Sequence, residues 1–174
     1  MKDKILEAYL GRQFEEGSNL AENSDLLDLM PLEGQPPHRY LAHLTCNGLV
    51  RTAAGEVVES NNFLVGIQFP EHHLDRFDPD RVLTWLHPLN VFHPNILPPF
   101  CCLGRLPPGA SLVELLHQVF ELITFNRLTM REDDALNHAA CVWSRQNQHR
   151  FPIDSRPLRR RTLSLRVESV EEVG

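Results

Sequence analysis

The sequence predicts an α+β fold, because helical and strand-like segments are segregated along the chain rather than alternating. One amphipathic helix comes first, several strands follow, and two helices come after them. The length of 174 residues fits one compact domain. An apolar fraction of 42% is sufficient for a hydrophobic core and too high for a disordered chain.

The first predicted element is a helix over residues 2–16. Gly17 and Ser18 are expected to end it. Residues 17–37 are rich in Asn, Glu, Pro and Gly and are predicted to be mostly loop, with residues 26–30 fitting either a helical turn or a first strand. The apolar residues of the helix recur at helical spacing: Ile5, Leu6, Tyr9, Leu10 and Phe14.

An antiparallel meander of three or four strands is predicted next. Asn47-Gly48 is a strong turn dipeptide, and Ala54-Gly55 indicates a second turn. Pro70 closes the segment with the strongest strand pattern. The candidate strands are residues 40–46, 49–52, 56–59, 63–69 and 81–86.

Two helices are predicted after the sheet. Ser111 is an expected N-cap, and Glu114 three residues later completes a capping box. The second helix is predicted over residues 133–145. Its inward-facing residues are expected to be Leu136, Ala139, Ala140 and Trp143.

The C-terminal part of the chain divides into a domain and a tail. We expect residues 1–155 to form the domain and residues 156–174 to form the tail. Leu163, Leu165 and Val167 alternate with polar residues in this tail. This pattern fits a strand that needs a partner, or a solvated chain end.

Composition excludes several classes of function. The formal net charge is −6, and the basic residues form one dense cluster, residues 156–161, rather than a stripe, so we expect no nucleic-acid binding. No apolar run approaches the roughly 20 residues of a membrane span. The first residues lack the pattern of a signal peptide. Four cysteines in this context suggest reduced thiols in the cytoplasm.

The most informative segment joins His93-Pro94-Asn95 to Cys101-Cys102-Leu103. A cysteine thiolate is a nucleophile that can carry an acyl group as a thioester. A carboxamide such as that of Asn95 can donate a hydrogen bond to the oxyanion that forms when an amine attacks. The segment therefore predicts acyl transfer, with no cofactor and no metal required.

This segment resembles the active-site signature of ubiquitin-conjugating enzymes, in which a His-Pro-Asn turn precedes a catalytic cysteine that is usually followed by Leu. The resemblance implies the fold of that family, and it covers roughly residues 40–145. It implies that Asn95 stabilises the oxyanion or holds the active-site loop, and that His93 is mainly structural. Phe69-Pro70 and residues 136–140 also resemble family segments.

Either Cys102 or Cys101 is the predicted nucleophile. The Cys-Leu dipeptide and the following Gly104 favour Cys102, whereas another placement of the one-residue gap relative to the family favours Cys101. Adjacent residues of an extended segment point to opposite sides. Only one of the two thiols is therefore expected to face a cleft, and the other is expected to be buried.

Departures from the common pattern are similar to those of bacterial members. Residues 71–79 replace the usual Tyr-Pro-Pro loop, and the Trp that normally follows the cysteine is missing. The resemblance implies an activating enzyme as one partner. It implies as the other partner a ubiquitin-like modifier or the C-terminus of a cGAS-like nucleotidyltransferase, in antiphage defence.

Three other interpretations stay open. In the first, the chain is a non-catalytic module that binds a ubiquitin-like protein or a peptide. In the second, it is an unrelated interaction protein in which the His-Pro-Asn turn occurs by chance. A zinc site built from His72, His73, His87 or His93 with the cysteines is the third and is disfavoured, because no chelating spacing occurs.

Asp133 and Asp134 fit either a helix N-terminus or a carboxylate that orients an incoming lysine.

Overall fold

A computed structural model describes residues 2–161 and has an α+β fold, which confirms the predicted class. The elements in chain order are α1 (Lys2–Glu22), β1 (Leu27–Pro31), β2 (Arg39–Leu44), β3 (Gly48–Arg51), β4 (Val57–Ser60), β5 (Phe63–Gln68), α2 (Pro79–Val82), β6 (Leu83–His87), β7 (Ile96–Leu97), β8 (Phe100–Cys101), α3 (Leu112–Ile123), α4 (His138–Gln146) and a 3-10 turn (Gln148–Arg150).

The main sheet has four antiparallel strands in the order β1-β2-β5-β6. Burial alternates along β2 and β5, as expected for strands with one face on a core. The buried side chains of α1 and α3 belong to the same hydrophobic cluster as those of the sheet. Helices and sheet therefore enclose one continuous core. Its largest fully buried side chains include Trp85, Tyr40 and Phe63.

The prediction of a hairpin turn at Asn47-Gly48 is wrong. β2 and β3 follow one another in one arm of a bent hairpin, β4 and β5 form the other arm, and the turn lies at the predicted Ala54-Gly55. The backbone N–H of Asn47 donates to Asp154 at 3.0 Å instead of closing a turn. A Cβ on Gly48 would lie 2.6 Å from Phe63 and 2.8 Å from Ile123. Gly48 is thus required by close packing.

The first helix is longer than predicted and continues through Gly17 to Glu22. A Cβ on Gly17 would lie 2.6 Å from the Leu112 side chain, so this glycine lets α1 approach α3 closely. The buried side chain of Gln13 also accepts a hydrogen bond from Leu112 N at 2.7 Å. Tertiary packing therefore overrides the breaking tendency of Gly17-Ser18.

The ends of the later elements agree only in part with expectation. The Ser111 side chain accepts from Glu114 N at 3.1 Å, which confirms the predicted N-cap of α3. α4 begins at His138 rather than at residue 133, because Asn137 caps it by accepting from Ala140 N at 3.0 Å. The predicted strand over residues 81–86 begins with the end of α2 and becomes β6 at Leu83.

The described start of the predicted tail lies against the domain. Leu158 is buried in the core, and Arg160 N donates to Asn23 O at 2.8 Å beside the end of α1. The predicted strand containing Leu163, Leu165 and Val167 lies outside the described residues. None of the helices within residues 2–161 combines the length and the apolar character that a membrane crossing requires.

Replacing Gly48 by alanine is expected to lower the free energy of unfolding by about 1–3 kcal/mol, because the added methyl group overlaps Phe63 and Ile123. Gly11→Ala is the matched control, since a Cβ at Gly11 in α1 meets no atom within 4 Å. The control is expected to raise stability by about 0.5–1 kcal/mol. Urea unfolding measures both. A Gly48→Ala protein as stable as the wild type would contradict the packing argument.

Candidate active site

The candidate site is built on the short hairpin of β7 and β8. Ile96 pairs with Cys101, and Pro98-Pro99 forms the turn between the strands. Pro99 O accepts a hydrogen bond at 2.9 Å from the backbone N–H of Trp85 in β6. This bond attaches the hairpin to the edge of the main sheet, so the sheet fixes the position of the two cysteines.

The two cysteines point in different directions. The Cys101 side chain is packed in the core, with 6% of its surface exposed. Burial, with a smaller contribution from Cys102, raises the pKa of the Cys101 thiol, so its thiolate is strongly disfavoured. Cys102 is partly exposed, and its backbone N–H donates to Asn95 O at 2.8 Å. Of the two cysteines, Cys102 and not Cys101 is therefore the one that is partly accessible from outside.

His93 is an interior part of the turn. The residue is 1% exposed, and its ring lies 4.5 Å from the ring of Phe125, centroid to centroid. Nδ1 accepts a hydrogen bond from Asn95 N at 3.0 Å, which places the proton of the neutral ring on Nε2. Burial lowers the pKa of His93 to about 3, opposed only in part by the Arg127 backbone. The ring is therefore neutral at pH 7 and shapes the turn rather than carrying a proton.

The Asn95 carboxamide lies between the hairpin and the loop that precedes α4. Oδ1 accepts from Thr129 N at 2.8 Å, and Nδ2 donates to Cys102 O at 3.5 Å. The first bond is strong by distance and the second is at the limit of a hydrogen bond. The amide orientation is therefore set by Thr129, and this leaves the Nδ2 hydrogens close to the Cys102 backbone and weakly engaged.

Two residues that were not predicted to belong to the site complete this arrangement. Asn137 N donates to Pro94 O at 3.0 Å while its side chain caps α4, so the helix start is attached to the turn. Asn137 ahead of a helical pattern is an N-cap signal that could have been recognised. Thr129 acts through its backbone N–H, which any residue except proline has, so no signal in the sequence points to it.

Asp133 and Asp134 lie in the loop before α4 and not in its first turn. Both are exposed and both lie near Arg131, with Asp133 Oδ1 3.1 Å and Asp134 Oδ2 3.4 Å from Arg131 Nε. The hydrogen bond from Arg131 lowers the pKa of Asp133 below its usual range. The Asp133 carboxylate is therefore engaged by a guanidinium and is a poor proton acceptor.

The histidines considered for zinc do not converge with the cysteines. His73 is buried, and its Nε2 lies 2.9 Å from Ala110 O. Nδ1 of His93 is occupied by Asn95 N. Among residues 2–161, no group of three or more His, Cys, Asp or Glu side chains is arranged to hold a metal ion.

Comparison with known proteins does not identify the site, so its chemistry has to be inferred from its geometry. No family model, no curated protein and no solved structure matches the chain. The arrangement itself consists of one partly exposed cysteine, a carboxamide with a weakly engaged N–H beside the backbone of that cysteine, and a neutral buried imidazole. Such a set can accept an acyl group at sulfur and stabilise a negatively charged oxygen nearby.

The burial of His93 predicts a loss of stability in mild acid. Its pKa in the folded state, about 3, is below the ordinary value of 6.5, so the unfolded chain binds the proton first as the pH falls. The neutral His93 makes its full contribution to the free energy of unfolding well above pH 6.5, and this contribution is lost progressively as the pH falls towards 3. Between pH 7 and pH 5 the free energy of unfolding should fall by about 2 kcal/mol through this residue.

Urea unfolding at a series of pH values measures this effect. A His93→Gln protein should show a shallower dependence on pH between 7 and 5 than the wild type, because the proton-binding group is gone. Exposed His149 provides the control, and His149→Gln should leave the dependence unchanged. Equal slopes for the wild type and His93→Gln would show that burial of His93 does not control the effect.

Proposed function

We propose that the protein is an acyl carrier of the ubiquitin-conjugating type. Cys102 accepts the C-terminal carboxyl group of a protein as a thioester and passes it to an amine. The observation that carries this proposal is the contrast between the two thiols, since Cys102 is partly exposed beside Asn95 whereas Cys101 is packed in the core.

The reaction has two steps at one sulfur. An activating enzyme supplies the carboxyl group as an acyl adenylate or a thioester, and the Cys102 thiolate attacks the carbonyl carbon and displaces AMP or the thiolate of the activating enzyme. An amine then attacks the new thioester. An amide bond forms, the carbon–sulfur bond breaks, the amine releases a proton, and Cys102 returns as a thiolate.

Asn95 has two roles in this proposal. Its Oδ1 holds the loop at Thr129, and its Nδ2 turns from the long contact with Cys102 O towards the oxyanion that forms on the acyl group. The change requires little movement, because Nδ2 already lies beside the Cys102 backbone. His93 keeps the turn in shape by accepting from Asn95 N.

The order of the elements supports the same family of folds. A helix, an antiparallel sheet, the hairpin with the cysteines and two further helices follow one another as in ubiquitin-conjugating enzymes. The resemblance of residues 93–95 and 102–103 to the family signature supports the activity. It also supports, as proposed partners, a ubiquitin-like modifier or a cGAS-like nucleotidyltransferase C-terminus in bacterial antiphage defence, in the cytoplasm.

Exchange of each cysteine tests the proposed nucleophile. The acyl adduct is trapped in cells that contain the activating enzyme, and its intact mass is measured before and after treatment with a thiol reagent. Cys102→Ser should abolish the thiol-sensitive adduct or replace it by a thiol-resistant ester. Cys101→Ala should retain the thiol-sensitive adduct. If only the Cys101→Ala protein loses the thiol-sensitive adduct while remaining folded, Cys101 is the nucleophile.

The same experiment separates the enzyme from a binding module. An adduct that survives both changes, or that never forms in the wild type, would contradict the proposal, and persistent binding without an adduct would favour the module. Circular dichroism of each variant is the control for folding.

Two replacements of Asn95 distinguish its two roles. Asn95→Asp keeps an oxygen for Thr129 N but loses the Nδ2 donor, whereas Asn95→Ala loses both. If Nδ2 stabilises the oxyanion, both variants should transfer the acyl group from Cys102 to an amine about 100- to 1,000-fold more slowly. Single-turnover discharge of the loaded protein measures this rate. Discharge by Asn95→Asp at the wild-type rate would limit Asn95 to holding the loop.

A further inference from the structure

A second feature lies between the β3–β4 hairpin and α4, where a groove of about 790 Å³ opens to solvent. Aliphatic side chains form its walls, among them Val58, which is 39% exposed, and Val142, which is 41% exposed. Phe92 and Trp143 also line it. Neither cysteine of the candidate active site is among its lining residues, so the groove is a separate surface.

Two cations and two aromatic rings form a row along this groove. The guanidinium carbon of Arg51 lies 5.6 Å from the ring centre of Phe92, and that of Arg150 lies 5.3 Å from the ring of Trp143. The two rings meet edge to face with centres 5.8 Å apart. The row therefore runs cation, aromatic, aromatic, cation, and stacking on the rings holds each guanidinium in place.

The guanidinium groups of Arg51 and Arg150 lack acidic partners within residues 2–161. Arg51 donates to Gly55 O at 3.4 Å and Arg150 to Val57 O at 3.0 Å, and neither has a carboxylate within 4.0 Å. Glu56 lines the same groove without pairing with either of them. Most of the ten N–H donors of the two groups are therefore available. In a chain of net charge −6, two such cations beside apolar walls are complementary to an acidic, partly apolar ligand.

The spacing of the row determines the pattern of such a ligand. Alternate residues of an extended peptide face the same side and recur every roughly 6.6 Å. Carboxylates four residues apart are separated by roughly 13 Å, and the three centre-to-centre steps of the row, 5.6, 5.8 and 5.3 Å, are together long enough to span such a separation. The residue midway between them faces the two rings. The complementary pattern is therefore acidic, any, apolar, any, acidic.

We propose that this groove docks an extended segment of a partner protein with that pattern. Arg51 and Arg150 bind the two carboxylates, and Phe92, Trp143 and the valines receive the apolar side chain. A nucleic acid fits less well, because two cations neutralise few phosphates and the walls are aliphatic. The proposal does not depend on acyl transfer, since it uses none of the residues around Cys102.

Tryptophan fluorescence of the full chain tests the proposal directly. Trp143 lines the groove, whereas Trp85 is 1% exposed and should not respond. The probes are a nine-residue peptide with the core Glu-Ser-Val-Ser-Glu, the same peptide with lysine for glutamate, and the same peptide with serine for valine. The glutamate peptide should change the emission of Trp143 and bind at least about tenfold more tightly than the lysine peptide, with the serine peptide between them.

Replacement of the two cations checks the contacts. Arg51→Gln and Arg150→Gln should each lower the affinity for the glutamate peptide about threefold, and the double variant should lower it about tenfold. Arg12→Gln removes the same charge from the exposed face of α1 and should leave binding unchanged. Raised salt should weaken binding to the wild type more than to the double variant.

Three results would overturn the proposal. Equal binding of the glutamate and lysine peptides would remove the charge argument. Tighter binding of a short single-stranded oligonucleotide than of the glutamate peptide would assign the groove to nucleic acid. Tighter peptide binding by a full-length Glu168→Gln/Glu172→Gln variant would show that the chain's own C-terminal segment fills the groove. Acyl transfer by all these variants should be unaffected, so failure here leaves the proposal for Cys102 in place.

Discussion

The hydrogen bond that His93 accepts from Asn95 N is the contact on which the site depends. Its length of 3.0 Å is normal and its acceptor belongs to a buried ring, so loss of the bond leaves a buried acceptor unpaired. The bond closes the turn, the turn orients the Asn95 carbonyl towards Cys102 N, and the Asn95 side chain reaches Thr129. A neutral ring is a requirement of this arrangement, because a protonated His93 has no acceptor to offer.

Burial makes two chemically identical side chains, those of Cys101 and Cys102, differ in accessibility. Cys101 and Cys102 are adjacent, yet Cys101 at the end of β8 is packed in the core, whereas Cys102, directly after the strand, is partly exposed. A thiol in the core is held neutral by its surroundings and packs as a small apolar group. The position of each cysteine relative to the core therefore decides which of the two is accessible, without any special residue for the purpose.

The active-site turn and the proposed docking groove share a short stretch of backbone. Phe92 contributes its ring to the row of cations and aromatic rings, and His93, the next residue, belongs to the turn. Phe92 N donates to Leu49 O, which attaches this stretch to the β3 arm that carries Arg51. The groove and the turn therefore adjoin along the chain at Phe92 and His93, while the residues proposed to bind the peptide differ from those proposed to transfer the acyl group.

Local patterns in the sequence were sufficient for the fold class and for several elements. Alternation predicted β2 and β5, the Ala54-Gly55 dipeptide predicted the turn of the hairpin, and Ser111 predicted the start of α3, because each depends on contacts between residues close in the chain. The motif at residues 93–95 also identified the place of the candidate site. These features need no knowledge of distant parts of the chain.

Other features were decided by contacts that no local pattern contains. Gly17 and Gly48 looked like breakers, but each lies where a neighbouring element leaves no room for a Cβ, so the helix and the hairpin arm continue through them. The choice between Cys101 and Cys102 required knowing which side of the hairpin faces the core. Thr129 and Asn137 joined the site through backbone N–H groups brought close by the chain path. Sequence by itself determined the elements and the chemistry available, whereas only tertiary packing decided which groups are exposed and which meet, because burial and proximity are properties of the whole chain.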